Sequence, residues 1–210
     1  MIKAIFWDND GVLVDTERLY FRATQQVLAT VGIPLTTAQY IDFFLVQGTG
    51  AWHLAAAQGL SPSAIEQLRH ERNTLYRTLL GQEPLLLAGV REVLHALHGI
   101  YVMGIVTSSE HDHFARIHQT TGLLPYFHFV LTAGDYTHSK PHPEPYRLAV
   151  ERSGCRQEEC LVIEDSERGF RAARAAGLRC IVVPSEFTRG SNFAGAYKVL
   201  GNLTELLTEL

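Results

Sequence analysis

The stretch Phe6-Trp7-Asp8-Asn9-Asp10-Gly11-Val12-Leu13-Val14-Asp15-Thr16 places two carboxylates two residues apart where a short apolar run gives way to a glycine turn. Residues Ile2 to Trp7 read as a buried strand. Two negative charges at the end of such a strand lose hydration and repel each other, so they call for a bound cation or a proton. Gly11 supplies the sharp turn. A D-x-D-G string by itself is also how a solvated surface turn reads, so the rest of the chain has to decide.

Working outward, the 210 residues are 46% hydrophobic and 19% charged, a globular balance that can bury a sizeable core. The formal net charge of −4 argues against a nucleic-acid partner. Cys155, Cys160 and Cys180 show neither metal-ligand nor redox spacing, and their odd number would leave one thiol over in a disulfide framework. A reducing cytoplasm is the expected compartment. No uncharged apolar run approaches the roughly 18 residues a membrane span needs, so no membrane partner is expected.

From residue 88 onward, short apolar runs at Ile100–Val106, Phe127–Leu131, Leu161–Glu164 and Arg179–Val183 alternate with helical patterns, the rhythm of a parallel sheet. Between residues 16 and 84 that rhythm is replaced by helices. Leu19, Ala23, Val27 and Val31 recur at helical spacing before Gly32. A further helix opens at Ser61-Pro62 and carries Ile65, Leu68, Leu75 and Leu79. The expected organisation is an α/β parallel-sheet domain made of residues 1–15 and 85–210, with a helical domain of residues 16–84 inserted after the D-x-D loop. The insert is expected over the carboxyl ends of the strands, where open α/β sheets bind ligands.

Three more strand ends carry chemistry. Thr107 follows the strand ending at Val106, and Ser109 with Asp112 has the S-x-x-D spacing of a helix N-cap; a hydroxyl beside a fresh helix N-terminus suits a phosphate. In Ser139-Lys140-Pro141-His142-Pro143-Glu144-Pro145-Tyr146, prolines hold an extended loop around Lys140, one of three lysines in the chain, whose ammonium could neutralise a phosphoryl group and a carboxylate. In Val162-Ile163-Glu164-Asp165-Ser166, a strand ends in two acids and Ser166 opens a helix carrying Phe170, Ala173 and Ala176 up to Gly177. Asp8, Asp10 and Asp165 together make an oxygen-rich site suited to Mg²⁺.

These four motifs, in this order, resemble those of the haloacid dehalogenase-like (HAD) hydrolase superfamily, in the branch that includes phosphoglycolate phosphatase and β-phosphoglucomutase. Asp8 to Thr16 matches the first motif, Thr107 the second, Lys140 the third and Glu164-Asp165 the fourth. The resemblance implies a Rossmann-like core with an inserted helical cap, Mg²⁺ as cofactor, and phosphoryl transfer from a small phosphorylated metabolite through an aspartyl-phosphate. It assigns Asp8 as nucleophile and Asp10 as general acid and base. Thr107 and the backbone N–H of Ser108 would hold phosphoryl oxygens and Lys140 would stabilise the transferring group. Asp8, the backbone carbonyl of Asp10, and Asp165 would ligate Mg²⁺, with Glu164 acting directly or through a metal-bound water.

Within the same superfamily, dehalogenases resemble this pattern but lack the second aspartate, which Asp10 supplies here. Phosphonatases use a cap lysine, and residues 16–84 contain none. A β-phosphoglucomutase-like phosphosugar mutase is the alternative reading, but Tyr20 stands where that pattern has a hinge histidine, and its cap lysine is also missing. Hydrolysis of a sugar phosphate or of phosphoglycolate is therefore expected. Arg22, Gln47, Thr49, Trp52 and His53 are the candidates to contact the leaving group, since they lie on the first helix or around Gln47-Gly48-Thr49-Gly50. Trp52 equally suits packing between helices, and Arg22 a solvated face. His111 and His113 point to different faces of a helix and read as solvated or capping. Two non-enzyme readings are a phosphoaccepting receiver and a ligand-binding regulator. A receiver carries its acceptor on a middle strand and has no helical insert, and a regulator has no need of Asp10.

Overall fold

The computed structural model describes residues Met1–Leu210. The chain divides into two compact units, Met1–Asp15 with Leu85–Leu210, and Thr16–Pro84. The first holds a sheet of β1 (Ala4–Trp7), β2 (Val102–Glu110), β3 (Phe129–Ala133), β4 (Cys160–Glu164), β5 (Arg179–Val182) and β6 (Lys198–Val199), ordered β3-β2-β1-β4-β5-β6 with every pair parallel. This is the parallel α/β sheet anticipated from the alternating runs, and the Rossmann-like core that the family resemblance implies. Every residue of β1 is buried, because a parallel strand is covered on both faces and needs apolar side chains on each.

The register sets the site. Trp7 is level with Ile105 on β2 and with Ile163 on β4. The next residues along the three chains, Asp8, Val106 and Glu164, therefore lie side by side. The chain fills the sheet on the β2 side of β1 before crossing to β4, so β1 and β4 flank the switch point where α/β sheets open a crevice.

Of the helices flanking the sheet, α5 (Val90–Leu97) and α6 (His111–His118) follow the re-entry of the chain, and α7 (Glu144–Ser153) and α8 (Glu167–Ala175) bracket β4. Tyr146 and Ala149 of α7 and Phe170 and Ala173 of α8 join Phe6, Val106, Leu131 and Val162 in one apolar cluster. Ser166 caps α8 by accepting from the Gly169 N–H at 3.1 Å.

The helical unit contains α1 (Glu17–Ala29), a short α2 (Thr37–Tyr40) that runs into a π-helical turn at Ile41–Val46, α3 (Trp52–Ala57) and α4 (Pro62–Leu80). Ser61 caps α4 with Pro62 in its first turn, as the sequence indicates. Helix α1 lies against α4. Arg18 and Arg22 of α1 both bind Glu83, with Arg22 Nη2 to Glu83 Oε1 at 2.6 Å.

Several local expectations are corrected. The β2 strand does not end at Val106: it runs to Glu110, pairing again with β3 after a register shift, so Thr107, Ser108 and Ser109 are extended. Ser109 is consequently no N-cap; Glu110 holds that place and makes no side-chain capping bond. Helix α1 stops at Ala29, short of Val31. His113 is buried rather than solvated. The two-residue β6 is exposed and has no apolar run to announce it.

Candidate active site

Lys140 organises the strand ends. Its stem passes through the core and its Nζ donates to Asp8 Oδ1 at 2.6 Å, to Glu164 Oε1 at 2.7 Å and to the Val106 carbonyl at 2.8 Å. All three acceptors come from the adjacent positions that the register aligns. Burial opposes the ammonium charge, yet Asp8 and Glu164 outweigh it and raise the Lys140 pKa. Lys140 is thus a fixed positive charge.

Glu164 is fully buried and saturated. Oε1 accepts from Lys140 and from Tyr146 Oη, the latter at 2.7 Å. Oε2 accepts from the N–H groups of Asp165 and Ser166 and from Ser166 Oγ. Burial penalises its charge, but these donors reverse the effect and hold its pKa below the ordinary carboxylate value. Asp8 has only Lys140 against burial and the like charges of Glu164 and Asp10, and its pKa is pushed up to about 7. One ammonium does not neutralise this group of carboxylates.

Asp10 is positioned through Oδ2, which accepts from Ser109 Oγ at 2.7 Å and from Thr107 Oγ1 at 3.1 Å. The Thr107 hydroxyl, fully buried, also accepts from the Ser109 N–H at 3.0 Å. The hydroxyl expected to face a phosphate is therefore committed to Asp10, and Ser109 joins it because β2 stays extended. Between the two aspartates, Asn9 Oδ1 accepts from His118 Nε2 at 2.8 Å, and His118 Nδ1 lies 2.8 Å from Thr121 Oγ1. Asn9 Oδ1 is an obligate acceptor, so Nε2 carries the proton and Nδ1 accepts from Thr121. Burial pushes the His118 pKa down to about 4, keeping the ring neutral.

Asp8, Glu164 and Asp165 bring carboxylate oxygens within 4.8 Å of one another. Asp165 lies close under the D-x-D turn: a Cβ on Gly11, whose φ is +89°, would sit 2.2 Å from Asp165 Oδ2. A buried, all-oxygen donor set with uncompensated negative charge fits a hard divalent cation.

The haloacid dehalogenase-like hydrolase profile matches residues 5–183, a span that begins on β1 and ends just past β5. The chain belongs to this hydrolase family. The hydrolase is similar to fructose-1-phosphate phosphatase YqaB of Escherichia coli, with 31% identity over 85% of this chain and 95% of that one. Phosphoglycolate phosphatase of Xanthomonas campestris pv. campestris shares 31% identity over 84% and 80% of the two chains. In three dimensions the hydrolase resembles a CbbY variant from Rhodobacter sphaeroides solved with xylulose-(1,5)bisphosphate, with a TM-score of 0.81, 27% identity, and 98% and 99% of the chains covered.

The residues singled out in the helical unit have varied surroundings. Arg22 is tied to Glu83, and Gln47 Nε2 donates to Asp42 Oδ2 at 2.8 Å. Thr49 Oγ1 is 3.5 Å from the Phe43 carbonyl, and His53 Nδ1 is 3.1 Å from the Gly50 carbonyl. Trp52 is buried and packs beneath Arg69 and Arg72. Sequence reasoning missed Arg72 itself. Its guanidinium is buried 4.3 Å from the Tyr20 ring centroid and 5.4 Å from that of Trp52; Nε donates to Asn73 Oδ1, whereas Nη1 is buried without a partner. The available signal was an arginine one helical turn from Leu68 and Leu75 and two from Leu79, on an otherwise apolar face.

Proposed function

We propose that this hydrolase is a Mg²⁺-dependent phosphatase that cleaves a small phosphomonoester of the sugar-phosphate or phosphoglycolate type through an aspartyl-phosphate on Asp8. The observation that carries the reading is the pairing of two aspartates held in different ways: Asp8 by an ammonium, Asp10 by two hydroxyls. The first arrangement suits a nucleophile and the second a proton donor and acceptor.

Lys140 binds Asp8 through Oδ1, leaving Oδ2 as the attacking atom. Asp8 Oδ2 forms the bond to phosphorus while the ester oxygen departs, and Asp10 delivers the proton that oxygen needs. Asp10, then ionised, takes a proton from the water that attacks the aspartyl-phosphate, releasing inorganic phosphate and restoring Asp8. Lys140 stabilises negative charge on the transferring group. The backbone N–H of Ser108 offers a phosphoryl contact, and Thr107 serves chiefly by orienting Asp10. Asp8, the Asp10 carbonyl and Asp165 are the residues to hold Mg²⁺, and Glu164 anchors Lys140. Mg²⁺ bound there offsets repulsion between carboxylate and phosphate and favours ionised Asp8.

The relatives named above act on a sugar phosphate and on phosphoglycolate, and one is bound to a sugar bisphosphate, which supports this substrate class. Within the helical unit, Arg72 is a buried cation with a nitrogen to spare, so it is the residue assigned to a charged or hydroxylated leaving group.

The test is phosphate release from phosphoglycolate, hexose and pentose phosphates and nucleotides, with and without Mg²⁺. Asp8→Asn and Asp10→Asn are expected to lower kcat by at least about 10³-fold, and Arg72→Met to raise KM more than it lowers kcat. Unchanged turnover in Asp8→Asn would remove the aspartyl-phosphate route. Absence of release from every ester by folded, Mg²⁺-loaded protein would remove the phosphatase reading.

A further inference from the structure

The loop that carries Lys140 holds a second group of metal-ligating side chains, largely exposed where the acidic cluster is buried. His138 and His142 stand two residues either side of Lys140, and Glu144 opens α7. Their donor atoms all lie within 4.8 Å of one another. His138 Nδ1 is 2.8 Å and His142 Nδ1 3.7 Å from the same oxygen, Glu144 Oε2, and the two rings are 4.6 Å apart between centroids.

The carboxylate is already fixed in place. Oε1 accepts from the Thr137 N–H at 2.7 Å and Oε2 from the His138 N–H at 2.9 Å, so one lone pair of Oε2 is engaged and the other faces the imidazoles. The contact His138 makes with it is one that a shared cation would replace. His142 Nδ1 accepts only a long 3.2 Å bond from the Glu144 N–H, a contact that a cation taking the same lone pair would displace. Pro141, Pro143 and Pro145 limit the number of conformations this loop would lose on binding.

We propose that His138, His142 and Glu144 form a second metal site that takes a borderline divalent cation, with Zn²⁺ the best match. Two neutral imidazoles and one carboxylate are a donor set for Zn²⁺, Ni²⁺ or Cu²⁺, and leave a position for water. Mg²⁺ favours the oxygen-only site of Asp8, the Asp10 carbonyl and Asp165 instead. The two sites therefore sort cations by softness. A metal held here would close the loop on both sides of Lys140 and restrict the segment that aims its ammonium. The proposal does not depend on the phosphatase reading, since metal binding is measured without substrate.

The test is a Zn²⁺ titration of the full chain in excess Mg²⁺, followed by the visible absorption of Co²⁺ in the same site. His138→Ala and His142→Ala are each expected to weaken Zn²⁺ binding at least tenfold and to abolish the Co²⁺ band. His111→Ala and Asp165→Asn are expected to leave both unchanged. Both substituted histidines are well exposed, with side chains 63% and 47% accessible, so circular dichroism should match the wild type. Wild-type Zn²⁺ affinity in both loop variants would overturn the proposal, as would loss of the site in Asp165→Asn, which would place the ion in the acidic cluster.

Discussion

His118 is a buried imidazole with both ring nitrogens engaged, so protonating it would place a charge away from water and force the Thr121 hydroxyl to turn from donor to acceptor. Its folded pKa, about 4, lies below the ordinary value of 6.5. Above pH 6.5 the ring is neutral in both folded and unfolded chains. As pH falls from 6.5 toward 4 the unfolded chain takes up the proton first, and stability is lost over that window. Asp8 works in the opposite sense without metal: its folded pKa of about 7 lets the native state bind a proton before the unfolded chain does, so it adds stability as pH falls below 7. The two contributions offset each other in the wild-type curve and have to be separated. His118→Gln keeps a donor for Asn9 and removes the titration. The wild type is expected to lose about 3 kcal/mol of stability relative to this variant between pH 7 and pH 4, read from denaturant unfolding at each pH. Parallel pH curves for the two proteins would show that His118 titrates as in the unfolded chain.

At the scale of elements, the approach of α8 to the end of β4 is as close as a glycine permits. A Cβ on Gly169 would lie 1.8 Å from Glu164 Oε1, and that carboxylate has nowhere to move because Lys140, Tyr146 and Ser166 hold it. Gly169→Ala is expected to cost about 2 kcal/mol in stability and, by displacing the anchor of Lys140, to lower kcat at least tenfold. Wild-type unfolding and kcat in this variant would mean that α8 can slide without disturbing Glu164. The sequence shows why Gly169 is easy to overlook: its constraint comes from a side chain five residues earlier, reached only after β4 turns into α8. The same holds elsewhere. The sheet strands were legible because β1, β4 and β5 are short runs of buried apolar residues, and the motif residues lay at their ends. The extension of β2 through Thr107, Ser108 and Ser109 was not legible, since polar residues next to a helix suggest a cap. They stay extended where Thr107 and Ser109 bind Asp10, about a hundred positions away in sequence. Tyr146 belongs to the apolar cluster beneath α7, and an apolar pattern could not reveal that its hydroxyl reaches Glu164.

For the molecule as a whole, the chain leaves the sheet unit and re-enters it at one place. Val14 bridges Leu86 in antiparallel sense, the Asp15 N–H donates to the Leu85 carbonyl at 2.7 Å, and the Leu87 N–H donates to the Leu13 carbonyl at 3.2 Å. The two crossings are thus already paired like the strands of a hairpin, and a short Asn-Gly turn from Asp15 to Leu85 could replace residues 16–84 without lengthening the path. Every side chain assigned to phosphoryl transfer lies in the sheet unit, whereas the buried Arg72 lies in the helical one. This separation predicts separable functions. The protein without residues 16–84 is expected to melt cooperatively, to bind Mg²⁺, and to take up from acetyl phosphate an acid-stable, hydroxylamine-labile phosphoryl label that is lost when Asp8 is replaced by Asn. Its kcat/KM for the best ester should fall at least about 100-fold and its preference among esters should flatten, because the groups that recognise the leaving group are gone. Retained ester preference in the shortened protein would place selectivity in the sheet unit. Failure to melt cooperatively would show that the sheet unit depends on the helices for its stability, and that the single paired crossing is not enough to let the two units fold apart.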